Sequence, residues 1–321
     1  MRLSIFWLLG AALLLSTLLS LALGAVGVTL PDIWQALTEG GDHDFIINQY
    51  RLPRALLAIL VGAGLGLSGT LVQGVIRNPL ASPDLMGISA GAGLAATAVI
   101  LFFPAAGHWL PLAAVAGGMA AALLIYLLAR QYQPAPARLA LTGIAVSAFL
   151  TSLIDFLLIV HPVELNSALV WLTGSLWGRS WEQLPLLGIG LALLLPLAMR
   201  LAWRLDICAL GDQSAVALGA GPKSLQIQAL LLAVVLASLS VCVAGTIGFV
   251  GLLAPHFARL LCGGQHRLLI PVSALSGALL VSAADLIART LHPPLELPVG
   301  LVTAVIGAPY FIFLLLRYKG W

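Results

Sequence analysis

Five stretches of this chain, each 20 residues or longer, contain no Asp, Glu, Lys or Arg. They cover residues 3–31, 55–76, 85–129, 224–258 and 297–316. A helix needs about 20 apolar residues to cross the hydrocarbon core of a bilayer. Only 8% of the chain is charged, whereas an ordinary soluble domain carries roughly 25%, so the sequence cannot cover a water-facing surface. The pattern therefore predicts an all-α polytopic membrane protein.

Proline, glycine and charged residues divide these stretches and the segments between them into ten predicted spans, which together form a single transmembrane domain over residues 1–321. The expected centres are Leu15, Gly66, Ala95, Met119, Leu150, Ala192, Val235, Leu253, Leu279 and Ile306. The first apolar run is longer than the 7–15 residues, roughly, of a signal-peptide core. We therefore expect it to be a retained first helix.

The basic residues predict the orientation of the spans. If the N-terminus is cytoplasmic and the spans alternate, eleven of the fifteen Lys and Arg residues fall on the inner side and four on the outer side. Cytoplasmic loops carry such an excess of Lys and Arg. The distribution predicts an even number of spans with both termini in the cytoplasm.

Three of the connecting segments are too structured to be plain connections, and one of them, the outer segment from His161 to Gln183, carries Trp171, Trp177 and Trp181. The outer segment from Val28 to Tyr50 contains a helix-like stretch that starts at Pro31. The inner segment from Trp203 to Gln226 is polar and predicts two short helices.

No pattern indicates an enzyme, a cofactor or a metal. The six histidines are scattered and form no HxxxH pair, which argues against a metal site. Gly219–Ser224 resembles a phosphate-binding loop, but Pro222 stands directly before Lys223 and has no N–H to offer a phosphate. We expect no nucleotide site and no nucleic-acid partner. If transport is driven by ATP, a separate subunit must hydrolyse it.

Two acidic residues, Asp155 and Asp285, fall within predicted spans, where a charge is costly and is a candidate for function. Arg289 lies four residues after Asp285, so the pair has a structural interpretation on one helix face. Asp155 has no such neighbour and is a candidate pathway residue. A proton-coupled secondary transporter, with either acid as its relay, is the alternative of a different class.

Three of the outer basic residues, Arg51, Arg54 and Arg289, lie at the ends of predicted spans. They either extend towards the membrane surface or form a cationic rim that attracts an acidic partner or an anionic substrate.

Several strings in the chain resemble one family of transporters. They are Arg51–Arg54, Val61–Gly64, Arg77–Gly87, Ala209–Gly219, Gly245–Arg267, Ala284–Arg289, Glu296–Gly300 and Ile306–Pro309. In this order they resemble the permeases of bacterial iron–siderophore and cobalamin ABC importers.

The resemblance implies the type II ABC importer permease architecture, with about ten helices in each of two permease subunits in the bacterial inner membrane. It further implies two ATPase subunits inside and a periplasmic binding protein outside, which docks on Arg51, Arg54 and Arg289. The ATPase-coupling loop falls at about 204–226. Its candidate residues are Leu205, Asp206, Leu210, Gly211, Asp212, Leu218 and Gly219, with a tight backbone turn at Gly219.

Three finer strings, Trp171–Arg179, Leu205–Asp212 and His292–Glu296, most resemble the ferric dicitrate members of the family. This resemblance implies a heterodimer of two different permease chains and a ferric chelate as cargo. A cobalamin, heme or other siderophore permease is the alternative within the family. The stretch Gln133–Arg138 departs from the small hydroxyl residues that family members often carry there, so the inner gate is not assigned.

Overall fold

A computed structural model of the chain describes residues 2–129, 136–293 and 295–317, and within these ranges it contains helices and no strand. The α-helices are α1 (Arg2–Ala22), α2 (Leu30–Thr38), α3 (Leu52–Ile76), α4 (Ile88–Phe102), α5 (Leu110–Ala129), α6 (Pro136–Val160), α7 (Leu165–Leu172), α8 (Leu184–Cys208), α9 (Asp212–Ala217), α10 (Pro222–Ala244), α11 (Val250–Cys262), α12 (His266–Thr290) and α13 (Val299–Arg317). The predicted all-α class is confirmed. Of the stretch Gln133–Arg138, residues 133–135 lie outside the described ranges.

Ten of these helices contain the ten predicted span centres. Eight of the ten lie in helical segments that are long and apolar enough to cross a membrane. The other two, α4 and α11, are apolar but shorter. The remaining helices α2, α7 and α9 are connections. We call the end of the bundle that carries α2 and α7 the outer end and the end that carries α9 the inner end, as the charge distribution predicts.

Helix α3 lies at the centre of the bundle and is buried along most of its length. Its glycines let neighbouring backbones approach closely: a methyl group at Gly62 would overlap the carbonyl oxygen of Gly277 in α12, and one at Gly69 would overlap that of Gly251 in α11. Because lipid gives little hydrophobic drive for helix association, small residues at such contacts allow close backbone packing. The glycine-rich stretch of the sequence therefore builds the core.

Helix α2 confirms the helix-like stretch that begins near Pro31. Thr29 and Asp32 form a capping box, in which the Thr29 backbone N–H donates to Asp32 Oδ2 at 3.3 Å and the Asp32 N–H donates to Thr29 Oγ1 at 3.5 Å. The hydrogen bond from the Thr29 hydroxyl lowers the pKa of the Asp32 carboxyl below its usual value. The outer segment is shorter than predicted, because a π-helical turn, Phe45–Arg51, runs directly into α3.

The inner segment contains one short helix, α9, and not the two that we expected. Helix α8 continues to Cys208, and α10 already begins at Pro222, a residue favoured in the first turn of a helix. The connection between them is therefore residues 209–221, and Leu205 and Asp206 belong to the last turn of α8.

Candidate docking and coupling sites

Arg54 lies at the centre of a cluster of charges at the outer end. Its Nη2 lies 2.9 Å from Asp285 Oδ1, and its Nη1 donates to Glu296 Oε2 at 2.6 Å. The side chains of Arg54 and Asp285 are 2% and 1% exposed, and that of Glu296 is 24% exposed. Tyr50 donates its hydroxyl to Glu296 Oε1 at 3.0 Å. Arg54 thus joins the start of α3 to α12 and to the segment that follows it.

Arg289 occupies the far side of Asp285. Its Nε lies 3.6 Å from Asp285 Oδ2, which confirms the predicted pair four residues apart on α12. Its Nη2 donates to Ser20 Oγ at 2.6 Å and to the Ser20 carbonyl. Asp285 is therefore held between two guanidinium groups, of which only that of Arg289 was predicted, and this pairing leaves it poorly placed to act as a proton relay.

Arg51 closes the outer end of α1. Its Nη1 donates to the carbonyls of Leu21 at 2.6 Å and Ala22 at 3.1 Å, and its Nη2 donates to that of Val26. The last four carbonyls of a helix lack intrahelical partners and carry the negative end of its dipole. Arg51 satisfies two such groups and places a positive charge beside them.

Together, Arg51, Arg54, Asp285, Arg289 and Glu296 form what we call the outer cluster. Its three arginines and two acids leave one net positive charge. The arginines are buried, each 4% exposed or less, and do not extend into solvent. A cavity of about 220 Å³ opens beside them and is lined by Gly24, Ala25, Val26, Ile46, Tyr50, Arg51, Arg289, Pro293 and Glu296. The structure thus brings together the three arginines predicted for docking, and their docking role stays a prediction.

Asp155 lies apart from this cluster. It is exposed on α6, near the outer end of that helix, between the exposed residues Ser152 and Phe156. No hydrogen bond or ion pair joins it to another residue in the described part of the chain. The place of Asp155 in a transport pathway stays a prediction.

The predicted coupling residues divide into an exposed group and a second, more buried group. Leu210 and Leu218, on either side of α9, are 67% and 58% exposed. Asp212, also exposed, forms an ion pair with Arg77 at the end of α3. Gly211 and Gly219 have φ of 104° and 76°, which favours glycine at both, so the tight turn at Gly219 is present.

The second group consists of Leu205, which is 1% exposed, and Asp206, whose side chain is 32% exposed. Asp206 Oδ1 accepts hydrogen bonds from the backbone N–H of His266 at 2.9 Å and from His266 Nδ1 at 2.7 Å. These contacts place the end of α8 against the beginning of α12.

The sequence interpretation missed three residues of these sites: Tyr50, Glu296 and His266. Glu296 and His266 lie within family-like strings, but Glu296 is 242 positions from Arg54, and His266 is 60 from Asp206. Tyr50 precedes Arg54 by one helical turn, and this spacing was the one local signal for any of the three. Among the described residues, no group of three His, Cys, Asp or Glu could hold a metal ion.

Comparison with known proteins extends these observations. A family model described as the FecCD transport family matches residues 12–317. The Fe(3+) dicitrate transport system permease protein FecD of Escherichia coli is 49% identical over 94% of this chain and 95% of its own length. The Fe(3+)-citrate import system permease protein YfmE of Bacillus subtilis is 47% identical over 96% of this chain and 93% of its own.

A solved structure of a metal-chelate type ABC transporter in an inward-facing conformation superposes with a TM-score of 0.88 and 32% identity. The match covers 98% of this chain and 99% of the other. The predicted permease architecture is confirmed. Because the family model and these relatives span nearly the whole sequence, the chain belongs to the FecCD transport family.

Proposed function

We propose that this chain is the permease subunit of an ABC importer that carries a ferric chelate of the dicitrate type across the bacterial inner membrane. The proposal of ferric citrate as the cargo rests on the similarity to FecD and YfmE, which are both named for ferric citrate. They are 49% and 47% identical to this chain over nearly its full length. Both termini are cytoplasmic in this proposal, in agreement with the excess of basic residues on the inner side.

The importer contains a second homologous permease subunit, two ATPase subunits and a periplasmic binding protein. ATP hydrolysis belongs to the ATPase subunits, in accord with Pro222 in the one loop of this chain that resembles a phosphate-binding loop. The chelate keeps its iron during transport, so this chain supplies no metal ligand.

The outer cluster is the docking site for the binding protein. The cavity beside it is bordered by Arg51, Arg289 and Glu296 and is open to an acidic side chain from outside. A carboxylate that enters it meets the guanidinium group of Arg51, which donates to backbone carbonyls, and that of Arg289, which shares Asp285 with Arg54. It also approaches Glu296, the most exposed acid of the cluster. Docking in this form gives Arg51 and Arg289 an intermolecular acidic partner.

The segment from Leu205 to Gly219 is the site of ATPase coupling. Its exposed leucines, Leu210 and Leu218, present apolar surface at the inner end, and the glycine turns at Gly211 and Gly219 fix the direction of α9. An ATPase that binds here moves the end of α8. That movement changes which side of the pathway is open. Asp155 borders the pathway on the exposed face of α6.

Uptake of radiolabelled cargo, with labelled iron in the iron chelates and labelled cobalt in cobalamin, tests which compound the importer carries. Cells that lack their own ferric citrate permeases receive this chain with its partner subunits, and uptake of ferric citrate is compared with that of ferrichrome, hemin and cobalamin. We expect ferric citrate uptake that requires an intact ATPase and survives collapse of the proton gradient. Preferential uptake of another of these compounds would overturn the assignment of the cargo. Uptake without the ATPase would overturn the ABC mechanism.

A further inference from the structure

Three helices meet at the inner end in a contact that we call the inner joint: Gly74 of α3, Leu205 and Asp206 of α8, and His266 of α12. The carboxylate of Asp206 accepts hydrogen bonds from both the backbone N–H and the Nδ1–H of His266. The residue before α12, Gln265, provides no side-chain cap. Asp206 therefore caps α12 from a different helix and holds the imidazole ring in place with the same oxygen.

The imidazole ring packs directly against Gly74 of α3. A methyl group there would lie 2.7 Å from His266 Nε2 and 3.4 Å from Leu205 Cδ2. His266 Nε2 is buried and has no hydrogen-bond partner among the residues that the structure describes. The ring is thus held by one polar contact, to Asp206, and otherwise by packing.

Helices α3 and α12 are joined along their length beyond this contact. Besides the Gly62–Gly277 contact, Gly66 packs against the backbone of Ser273. At the outer end, Arg54 and Asp285 connect the same two helices. A 25-residue helix spans about 37 Å. A displacement of the beginning of α12 therefore reaches the outer cluster through two closely packed helices.

A second polar connection between α3 and the coupling segment is weaker. Arg77 and Asp212 form an ion pair, but their side chains are 34% and 68% exposed, and exposed pairs contribute little because water screens them. In the inner joint the side chains of His266 and Asp206 are 7% and 32% exposed, and Asp206 also accepts the backbone N–H of His266, so this is the firmer connection.

We propose that His266 is a positioning residue that couples movement of the segment Leu205–Gly219 to α3 and α12, and so to the outer cluster. The proposal rests on the proposed function, in which an ATPase binds that segment and a binding protein docks at the outer cluster. Two residues that contact neither partner directly, His266 and Gly74, then determine how strongly the two events are linked.

The test uses the complete importer in liposomes, with both permease subunits, the ATPase and the binding protein. The readout is the stimulation of ATP hydrolysis by the binding protein, relative to each variant's own basal rate. We expect His266→Ala to lower this stimulation by about tenfold, within the usual range of coupling between sites. His108→Ala, which changes an exposed histidine in the outer segment before α5, is the control and should match the wild type.

Two further variants separate a specific role from a loss of folding. In His266→Asn the amide can place an N–H near the position of Nδ1, whereas in His266→Gln it lies near that of Nε2. We expect His266→Asn to restore the stimulation of ATP hydrolysis and His266→Gln not to restore it. If the alanine variant does not assemble, the comparison of these two variants tests the coupling role in its place. Equal stimulation in Ala and wild type, or in Gln and Asn, would overturn the coupling role. A wild-type importer that shows no stimulation would overturn the proposed function as well.

Discussion

Arg54 and Asp285 join the outer ends of α3 and α12 across 231 positions of sequence, with Arg54 Nε donating to Asp285 Oδ1 at 3.0 Å and almost no exposure of either side chain. A buried charge loses its hydration, so it is tolerated where partners surround it. Asp285 forms ion pairs with Arg54 and Arg289, and Arg54 forms a second ion pair with Glu296. The stability of this end of the bundle therefore depends on the presence of all four of these charged side chains.

Removal of the central carboxylate should therefore destabilise the protein. We expect Asp285→Asn to lower the free energy of unfolding by about 3 kcal/mol, because it leaves two buried guanidinium groups with one acid. Thermal unfolding of the purified protein in detergent should show a lower Tm. Asp155→Asn changes an exposed acid on α6 and is the matched control, expected to leave Tm nearly unchanged. Equal Tm values for the two variants would contradict the assignment.

Glu296 should compete with the acidic residues of the binding protein. In Glu296→Gln, Arg54 loses one of its two acids and the outer cluster gains positive charge, so we expect the Kd for the binding protein to fall about fivefold at low salt. Surface-immobilised permease complex and soluble binding protein provide the measurement. Glu39→Gln, in the exposed outer segment after α2, controls for the general change in charge. Weaker binding in the Glu296 variant would show that this carboxylate supports docking.

The exposed leucines beside α9 should be required for the ATPase and not for folding. We expect Leu210→Asp to prevent co-purification of the ATPase, because it places a charge on a proposed apolar contact. The permease should still elute as a folded protein, since this leucine is 67% exposed. Leu291→Asp, at an equally exposed leucine next to the outer end of α12, should keep the ATPase. Retention of the ATPase by both variants would exclude Leu210 from the contact.

Close packing at α3 predicts a strong position dependence of glycine substitution. Gly69→Ala should lower the free energy of unfolding by about 2–3 kcal/mol, because the added methyl group overlaps the backbone of α11, which cannot easily move. Gly10→Ala in α1 meets nothing within 4 Å, and should be neutral or slightly stabilising in a helix. Thermal unfolding of both variants in the same detergent compares them directly, and similar Tm values would contradict the packing.

Much of this fold follows from patterns that are local in sequence. Apolar runs and their interruptions predicted all ten span centres, and a spacing of four predicted the Asp285–Arg289 pair. The limits of the local patterns are seen at helix ends. The π-helical turn before α3 and the extension of α8 to Cys208 depend on packing against other helices, which no short window of sequence contains.

The partners of the buried charged residues were harder to predict from the sequence than the positions of the helices. The sequence identified Arg51 and Arg54 as basic residues at the outer end, but gave no sign that carbonyls of α1 or the distant acids Asp285 and Glu296 would enclose them. Long-range partners of this kind are set by how the helices assemble. The same reason kept His266 out of the predicted coupling residues, although its partner Asp206 was among them.

The hydrogen bonds from Arg51 to the end of α1 have a consequence for biosynthesis. The carbonyls of Leu21 and Ala22 obtain this donor from a residue about 30 positions further along the chain. A helix end without donors is unfavourable where lipid excludes water. During synthesis the Leu21 carbonyl, and the Ala22 carbonyl that also accepts from the Val28 N–H, therefore gain the Arg51 donor only once the residues just before α3 lie beside α1.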